Sequence, residues 1–140
     1  MQECLFCQII NGEKPSHKVY EDENTYAFLD INPRNKGHTL VIPKKHRETF
    51  LDLKEKEVTS LFQKVQKIAK AVKKATNAEG FNLLQNNEKA AGQIVDHVHI
   101  HVIPRYTEDN VELKWSYKPE EGEFKEMKER IKNELQTSFK

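Results

Sequence analysis

Two cysteines, one tryptophan, five glycines and five prolines are all that 140 residues contain of the types that mark specialised scaffolds. So few cysteines exclude a disulfide-stapled fold, and so few glycines and prolines exclude collagen-like and low-complexity chains. The formal net charge is only +1 at pH 7, so no excess of one sign draws the chain to nucleic acid or to an anionic membrane, and neither is expected as a partner. No apolar run approaches the ~20 residues needed to span a bilayer. The start Met1-Gln2-Glu3-Cys4 lacks the basic and apolar regions of a secretory signal, so a cytoplasmic location is expected. What is present is 36% hydrophobic and 32% charged residues, the balance of one ordinary globular domain, and six histidines.

Three of those histidines fall in Asp96-His97-Val98-His99-Ile100-His101-Val102-Ile103-Pro104-Arg105, alternating with β-branched residues. A period of two predicts a half-buried strand with His97, His99 and His101 on one face, Val98, Ile100 and Val102 in a core behind them, and Pro104 as its end. A merely solvated face would carry mixed Thr, Lys and Glu at those positions rather than three imidazoles. Elsewhere, residues 3–11 predict a short helix bearing Cys4 and Cys7 and closed by Asn11-Gly12. Residues 18–21 and 25–30 predict a hairpin, and 38–43 a third strand. Apolar residues from Val58 to Val72 recur at helical spacing and predict a long amphipathic helix over 52–77, with Asp52 and Glu55 as its capping box. Residues 81–85 predict a fourth strand, antiparallel to the histidine strand across a short loop. Phe124, Met127, Ile131 and Leu135 mark a last amphipathic helix, with Trp115 and Tyr117 in the connection before it. The order is that of an α+β chain with a mainly antiparallel five-stranded sheet, a long helix and terminal helices. One domain is expected over 1–140, with its core at about 3–106 and an extension over 107–140.

The run His97-Val98-His99-Ile100-His101-Val102-Ile103, with Gly92-Gln93 upstream, resembles the signature of the histidine triad (HIT) family of nucleotide hydrolases and transferases. Phe28-Leu29-Asp30-Ile31-Asn32-Pro33, Gly37-His38-Thr39-Leu40-Val41-Ile42-Pro43-Lys44 and the loop at Asn86 match it in order and spacing. The resemblance implies a HIT-like fold and a catalytic set of His97, His99, His101 and Gln93. In it His99 attacks the α-phosphorus of a purine nucleotide, giving a nucleotidyl-histidine intermediate that water then hydrolyses. It further implies a nucleotide site in which Asp30 receives the ribose hydroxyls and Ile31 packs on the base. His38, His101, Gln93 and the Gly92 backbone would surround the phosphate, with Asn86 close by. Asp30 and Asn86 match the Hint branch, which cleaves nucleoside phosphoramidates. Ile103-Pro104-Arg105 resembles the ending of bacterial Hit proteins and of the Fhit branch, which hydrolyses dinucleoside polyphosphates. One position departs from the family: Ile94 stands where Ser or Thr is usual, and it can neither donate a proton nor hydrogen-bond a leaving group. The family also implies a homodimer whose sheets continue across the interface, with the tail around Trp115 reaching the partner's site.

Cys4-x-x-Cys7 has the spacing of a tetrahedral metal site but supplies only two ligands. Two buried free thiols are the plainer reading, and a thioredoxin-like redox pair lacks its βαβ context. Zinc-containing members of the family complete such a site at positions matching His46 and His97. The resemblance thus implies a structural zinc held by Cys4, Cys7, His46 and His97. From a different class, a cupin-like protein would use His97, His99 and His101 as ligands of one catalytic metal, but its later Glu, Gly and second histidine motif do not follow here. A nucleotide-binding adaptor with residual catalysis is the third alternative, kept open by Ile94.

Overall fold

A computed structural model describes residues 4–114 and 116–138. The chain opens with a six-residue helix, α1 (Leu5–Ile10), whose cap is Cys4: its Sγ accepts the Cys7 backbone N–H at 3.2 Å. Strands β1 (Lys18–Glu21), β2 (Thr25–Leu29) and β3 (Thr39–Pro43) follow, then the long helix α2 (Glu55–Thr76), β4 (Gly80–Leu84), β5 (Ile100–Arg105) and α3 (Glu123–Ser138). All pairings are antiparallel and the sheet order is β1-β2-β3-β5-β4, which puts the histidine strand between β3 and β4. The expected fold class and five strands are what the chain adopts.

The two faces of the sheet bury different things. Ala27, Val41, Val98, Ile100 and Val102 point one way and pack on Leu61, Val65, Ile68 and Ala69 of α2. Tyr26, Phe28, Leu40 and Ile42 point the other way and pack on Phe6 and Ile9 of α1. Each large aliphatic side chain buried there contributes roughly 1.5–3 kcal/mol. Because strand residues alternate, sending the even positions of 98–102 into the α2 core turns His97, His99 and His101 toward α1.

Three local expectations shift. The ladder of β5 begins at Ile100, after His97 and His99, and runs through Pro104 rather than stopping there. A proline is tolerated because β3 begins only at Thr39, opposite Val102, so no ladder bond is lost on that side. The Pro104 carbonyl accepts instead from Asn35 Nδ2 at 2.8 Å, while Phe81 of β4 pairs on the other side. Helix α2 starts at Glu55 instead of Asp52, because Leu53 is extended (φ −73°, ψ 142°). Asp52 caps the preceding turn by accepting the Thr49 N–H at 3.0 Å, and Glu57 rather than Glu55 closes the helix start on the Lys54 N–H at 2.9 Å. The loop before β3 needs Gly37, which sits at φ +90° with Thr76 Cγ2 where a side chain would go.

Helix α3 has its expected apolar stripe, but Phe124, Met127, Ile131 and Leu135 stay exposed and none of its described residues is buried. No helix among the described residues is long and apolar enough to cross a membrane.

Candidate active site and metal cluster

On the α1 side of the sheet a cavity of about 540 Å³ opens over the histidines. That volume suits a small organic ligand. Leu5, Phe6 and Ile9 of α1, with Phe28 and Leu40, make its apolar wall, and Asp30, His38, Asn86, His99 and His101 make its polar floor. The register explains the cluster of rings: Leu40 lies opposite His101, so His38, two residues before Leu40, falls beside it on the same face.

Backbone partners fix the protons of His99 and His38, and His38 in turn fixes that of His101. The Nδ1–H of His99 donates to the His97 carbonyl at 2.7 Å, which leaves the Nε2 lone pair free. The Arg34 backbone N–H donates to His38 Nδ1 at 2.9 Å, so His38 carries its proton on Nε2 and donates it to His101 Nδ1, also at 2.9 Å. His101 therefore has its own proton on Nε2. A lone pair and a neutral N–H donor thus stand on neighbouring rings, 5.1 Å between centroids, the pairing a nucleophile and an oxyanion donor require.

Burial keeps these rings neutral. It pushes His101 down to about 4, helped by the neighbouring His99 and His38. It also lowers His38 and His99, against the opposing pull of Asp30 on both and of the His97 carbonyl on His99. The unfolded chain therefore binds more protons than the folded one between the ordinary value of 6.5 and about 4, and stability is lost as pH falls through that window. His101 alone is expected to cost about 2 kcal/mol between neutrality and pH ~5. Urea unfolding midpoints at the two pH values measure it; a midpoint that does not fall would contradict a neutral relay.

Asp30 serves two ends. Its Oδ1 accepts the Asn32 N–H at 2.9 Å, the turn role its place before Asn32-Pro33 suggested, while Oδ2 lies 3.5 Å from His38 Nε2 and 4.0 Å from His101 Nδ1. These three side chains are close enough to hold a metal ion. The tautomers oppose it: the Arg34 N–H occupies Nδ1 of His38, so Nε2 carries a proton where a metal would need a lone pair. The group is a hydrogen-bond relay.

Gln93 is not brought into the cavity. Its Oε1 accepts the Glu88 N–H at 2.6 Å and its Nε2 donates to the carbonyls of Glu48 and Val95 at 2.7 and 3.0 Å, so the amide is spent on bracing the loop. That brace holds Glu88 at φ 71°, ψ 160°, a region only glycine visits easily, at a cost of roughly 1–3 kcal/mol. Gly92 does line the cavity, and its φ of +94°, rather than lack of room beside Asn86, is what calls for glycine. Ile31 is exposed at the mouth. Ile94 is 92% exposed on the rim that separates the cavity from the surface over Cys4 and Cys7. Trp115 lies outside the described residues.

Behind that rim Cys4, Cys7, His46 and His97 bring their ligand atoms within 4.8 Å of one another. Nδ1 of His97 is 3.3 Å from Cys4 Sγ, 3.6 Å from Cys7 Sγ and 3.2 Å from His46 Nδ1, and Cys7 Sγ is 3.4 Å from His46 Nδ1. A tetrahedral zinc spaces two nitrogens by roughly 3.3 Å and nitrogen and sulfur by roughly 3.5 Å, so the donor set fits. The tautomer fits too: His97 Nε2–H donates to the Pro43 carbonyl at 2.8 Å, leaving the Nδ1 lone pair aimed at the cluster. Burial and the adjoining Cys4 push the Cys7 thiol up to about 11, so its ionisation calls for a cation. His97 faces this cluster while His99 and His101 face the cavity. The three do not converge on one metal as a cupin-like reading requires.

Leu5, Phe6 and Ile9, apolar residues of the predicted helix over 3–11 and absent from the expected site, line the cavity as well. The sign that they do more is the breadth of the apolar face: Leu5 remains 43% exposed because it borders the cavity instead of filling the core.

A model of the HIT domain matches residues 11–108. The chain is 39% identical over 134 residues to an adenosine 5'-monophosphoramidase of Schizosaccharomyces pombe, covering 94% of this chain and 98% of that one. A crystal structure of a Streptococcus mutans protein superposes with a TM-score of 0.90 at 44% identity, over 96% of this chain and 87% of the other. A zinc-bound histidine triad family protein from Mycobacterium smegmatis superposes with a TM-score of 0.74 at 36% identity, over 97% of each.

Proposed function

The chain belongs to the histidine triad (HIT) domain family, and from that premise we propose that it is a nucleotide hydrolase working at the α-phosphorus of purine nucleotides, with adenosine phosphoramidates as its preferred class. The observation that carries the reading is the free Nε2 lone pair of His99 beside the Nε2–H of His101 in a cavity of nucleoside size. The nucleobase lies between the α1 wall and Ile31, the ribose hydroxyls meet Asp30 Oδ2, and Asn86 and the Gly92 backbone border the phosphate. His99 Nε2 attacks phosphorus as the bond to the leaving amine breaks, the amine taking up a proton from solvent because Ile94 supplies none, and a nucleotidyl-histidine results. The His101 N–H offsets charge growing on a non-bridging oxygen. Water then displaces His99 and releases the nucleoside monophosphate.

His97 acts at one remove: its carbonyl sets the His99 tautomer, and its ring belongs to a structural zinc site with Cys4, Cys7 and His46. A zinc ion held by these four residues would supply a cross-link between α1 and the sheet and leave no ligand position for substrate. The phosphoramidase relative and the zinc-bound neighbour support these two assignments. A homodimer formed along β4 is part of the same reading, supported by that strand's place at the sheet edge with Phe81 and Leu83 40% and 48% exposed.

Rates for an adenosine phosphoramidate, adenylated lysine and diadenosine tri- and tetraphosphate, measured side by side, test the assignment. The phosphoramidate is expected to turn over fastest. Faster cleavage of the dinucleotides would move the chain to the polyphosphate hydrolases, and no hydrolysis of any would leave a binding protein.

A further inference from the structure

Phe6 stands between Cys4 and Cys7 in sequence and touches both centres in space. Its ring meets His97 of the metal cluster edge-on, with centroids 6.0 Å apart at 67°, and the nucleophile His99 at 5.2 Å and 88°. Phe28, in the cavity wall, lies 5.4 Å away on the same ring. Helix α1 is only six residues long, too short to hold itself by its own backbone bonds. Its place is set by Phe6 and Ile9 in the core and by the two cysteines at its start. His99, for its part, has one hydrogen bond to hold its ring, at Nδ1. Two rings pack against it and limit how it swings about that bond, His101 at 5.1 Å and Phe6 at 5.2 Å, and Phe6 is the one that α1 supplies.

Resting on the nucleotide reading above, we propose that Phe6 is a positioning residue through which the Cys4–Cys7–His46–His97 site governs the nucleotide cavity. With zinc bound, α1 is pinned, Leu5 and Ile9 wall the nucleoside, and Phe6 holds the His99 ring in line for attack. With zinc removed, the wall and the ring loosen together, although neither cysteine touches the substrate.

The test uses the full chain, zinc-loaded and chelated, with AMP as the probe. Calorimetry is expected to show the Kd for AMP rising about tenfold or more on chelation, because the α1 wall is lost. Hydrogen exchange of residues 5–10 is expected to speed up while α2 and the central strands keep their protection. Zinc-loaded Phe6→Leu, whose ligands are untouched, is expected to keep one zinc per chain and a KM within about twofold, while kcat falls about tenfold. That split separates positioning from loss of fold and decides the matter even if the chelated chain unfolds. Equal AMP affinity and α1 exchange with and without zinc, or wild-type kcat in Phe6→Leu, overturns the proposal while the nucleotide reading stands. Failure of AMP to bind the zinc-loaded chain overturns both.

Discussion

Replacing His99 by alanine is expected to lower turnover of an adenosine phosphoramidate by at least about 10⁴-fold, the scale seen when a covalent nucleophile is deleted. No other imidazole in the cavity presents a free lone pair to take its place. His101 presents a proton rather than a lone pair, because its Nδ1 already accepts from His38. His38 Nδ1 is covered by the Arg34 N–H. His101→Ala removes a donor without removing the nucleophile and is expected to cost less, about 10²-fold. The fold should tolerate the His99 change: the ring makes one hydrogen bond, and its removal takes one of three edge-on partners from Phe6, which keeps Phe28 and His97, a loss on the order of 1–2 kcal/mol. Single-turnover kinetics with a labelled nucleotide, paired with a thermal melt, check both halves. Retained turnover in His99→Ala removes the nucleophile assignment.

Chelating the metal is expected to give the largest change in stability. At zinc a thousandfold above its Kd, binding to the folded chain alone adds about 4 kcal/mol, and at roughly 4 °C per kcal/mol Tm should fall by about 15 °C on its removal. The chain should melt lower rather than unfold outright, because the core between α2 and the sheet contains none of the four ligands. Cys4→Ser combined with Cys7→Ser should reproduce the lower Tm without chelator and be insensitive to it. Elemental analysis with paired melts measures this; a chain free of zinc as isolated, whose Tm ignores added zinc and chelator, contradicts the structural role.

What could be read from the chain divides by how far each feature depends on contacts remote in sequence. The strands, the long helix and the face shared by three histidines follow from a period of two or 3.6, a property of neighbours. The four metal-binding candidates also came through, because Cys-x-x-Cys is local and the family pattern supplied His46 and His97. Pro104 misled because the chemistry of one residue predicts a strand end, whereas the start of β3 at Thr39, opposite Val102, decides that the sheet tolerates it. Gln93 misled in another way: an amide beside a glycine suits a phosphate, and only the folded loop shows Glu88, Glu48 and Val95 already using it. Leu5, Phe6 and Ile9 were legible as apolar, but whether an apolar residue faces a core or a cavity is set by what packs against it. Glu88 carried no signal, since its strained backbone exists to reach Gln93.

The fixed ring protons have a consequence for magnetic resonance. Of the six histidines, His38, His97 and His101 carry hydrogen on Nε2, whereas His99 carries it on Nδ1. Protonated and bare imidazole nitrogens resonate far apart, so in a nitrogen-15 spectrum at neutral pH the assigned signals of these four rings should divide three to one. Among these four the outlying pair of signals belongs to His99, the ring proposed as nucleophile, which can then be followed in the resting chain before any substrate is added.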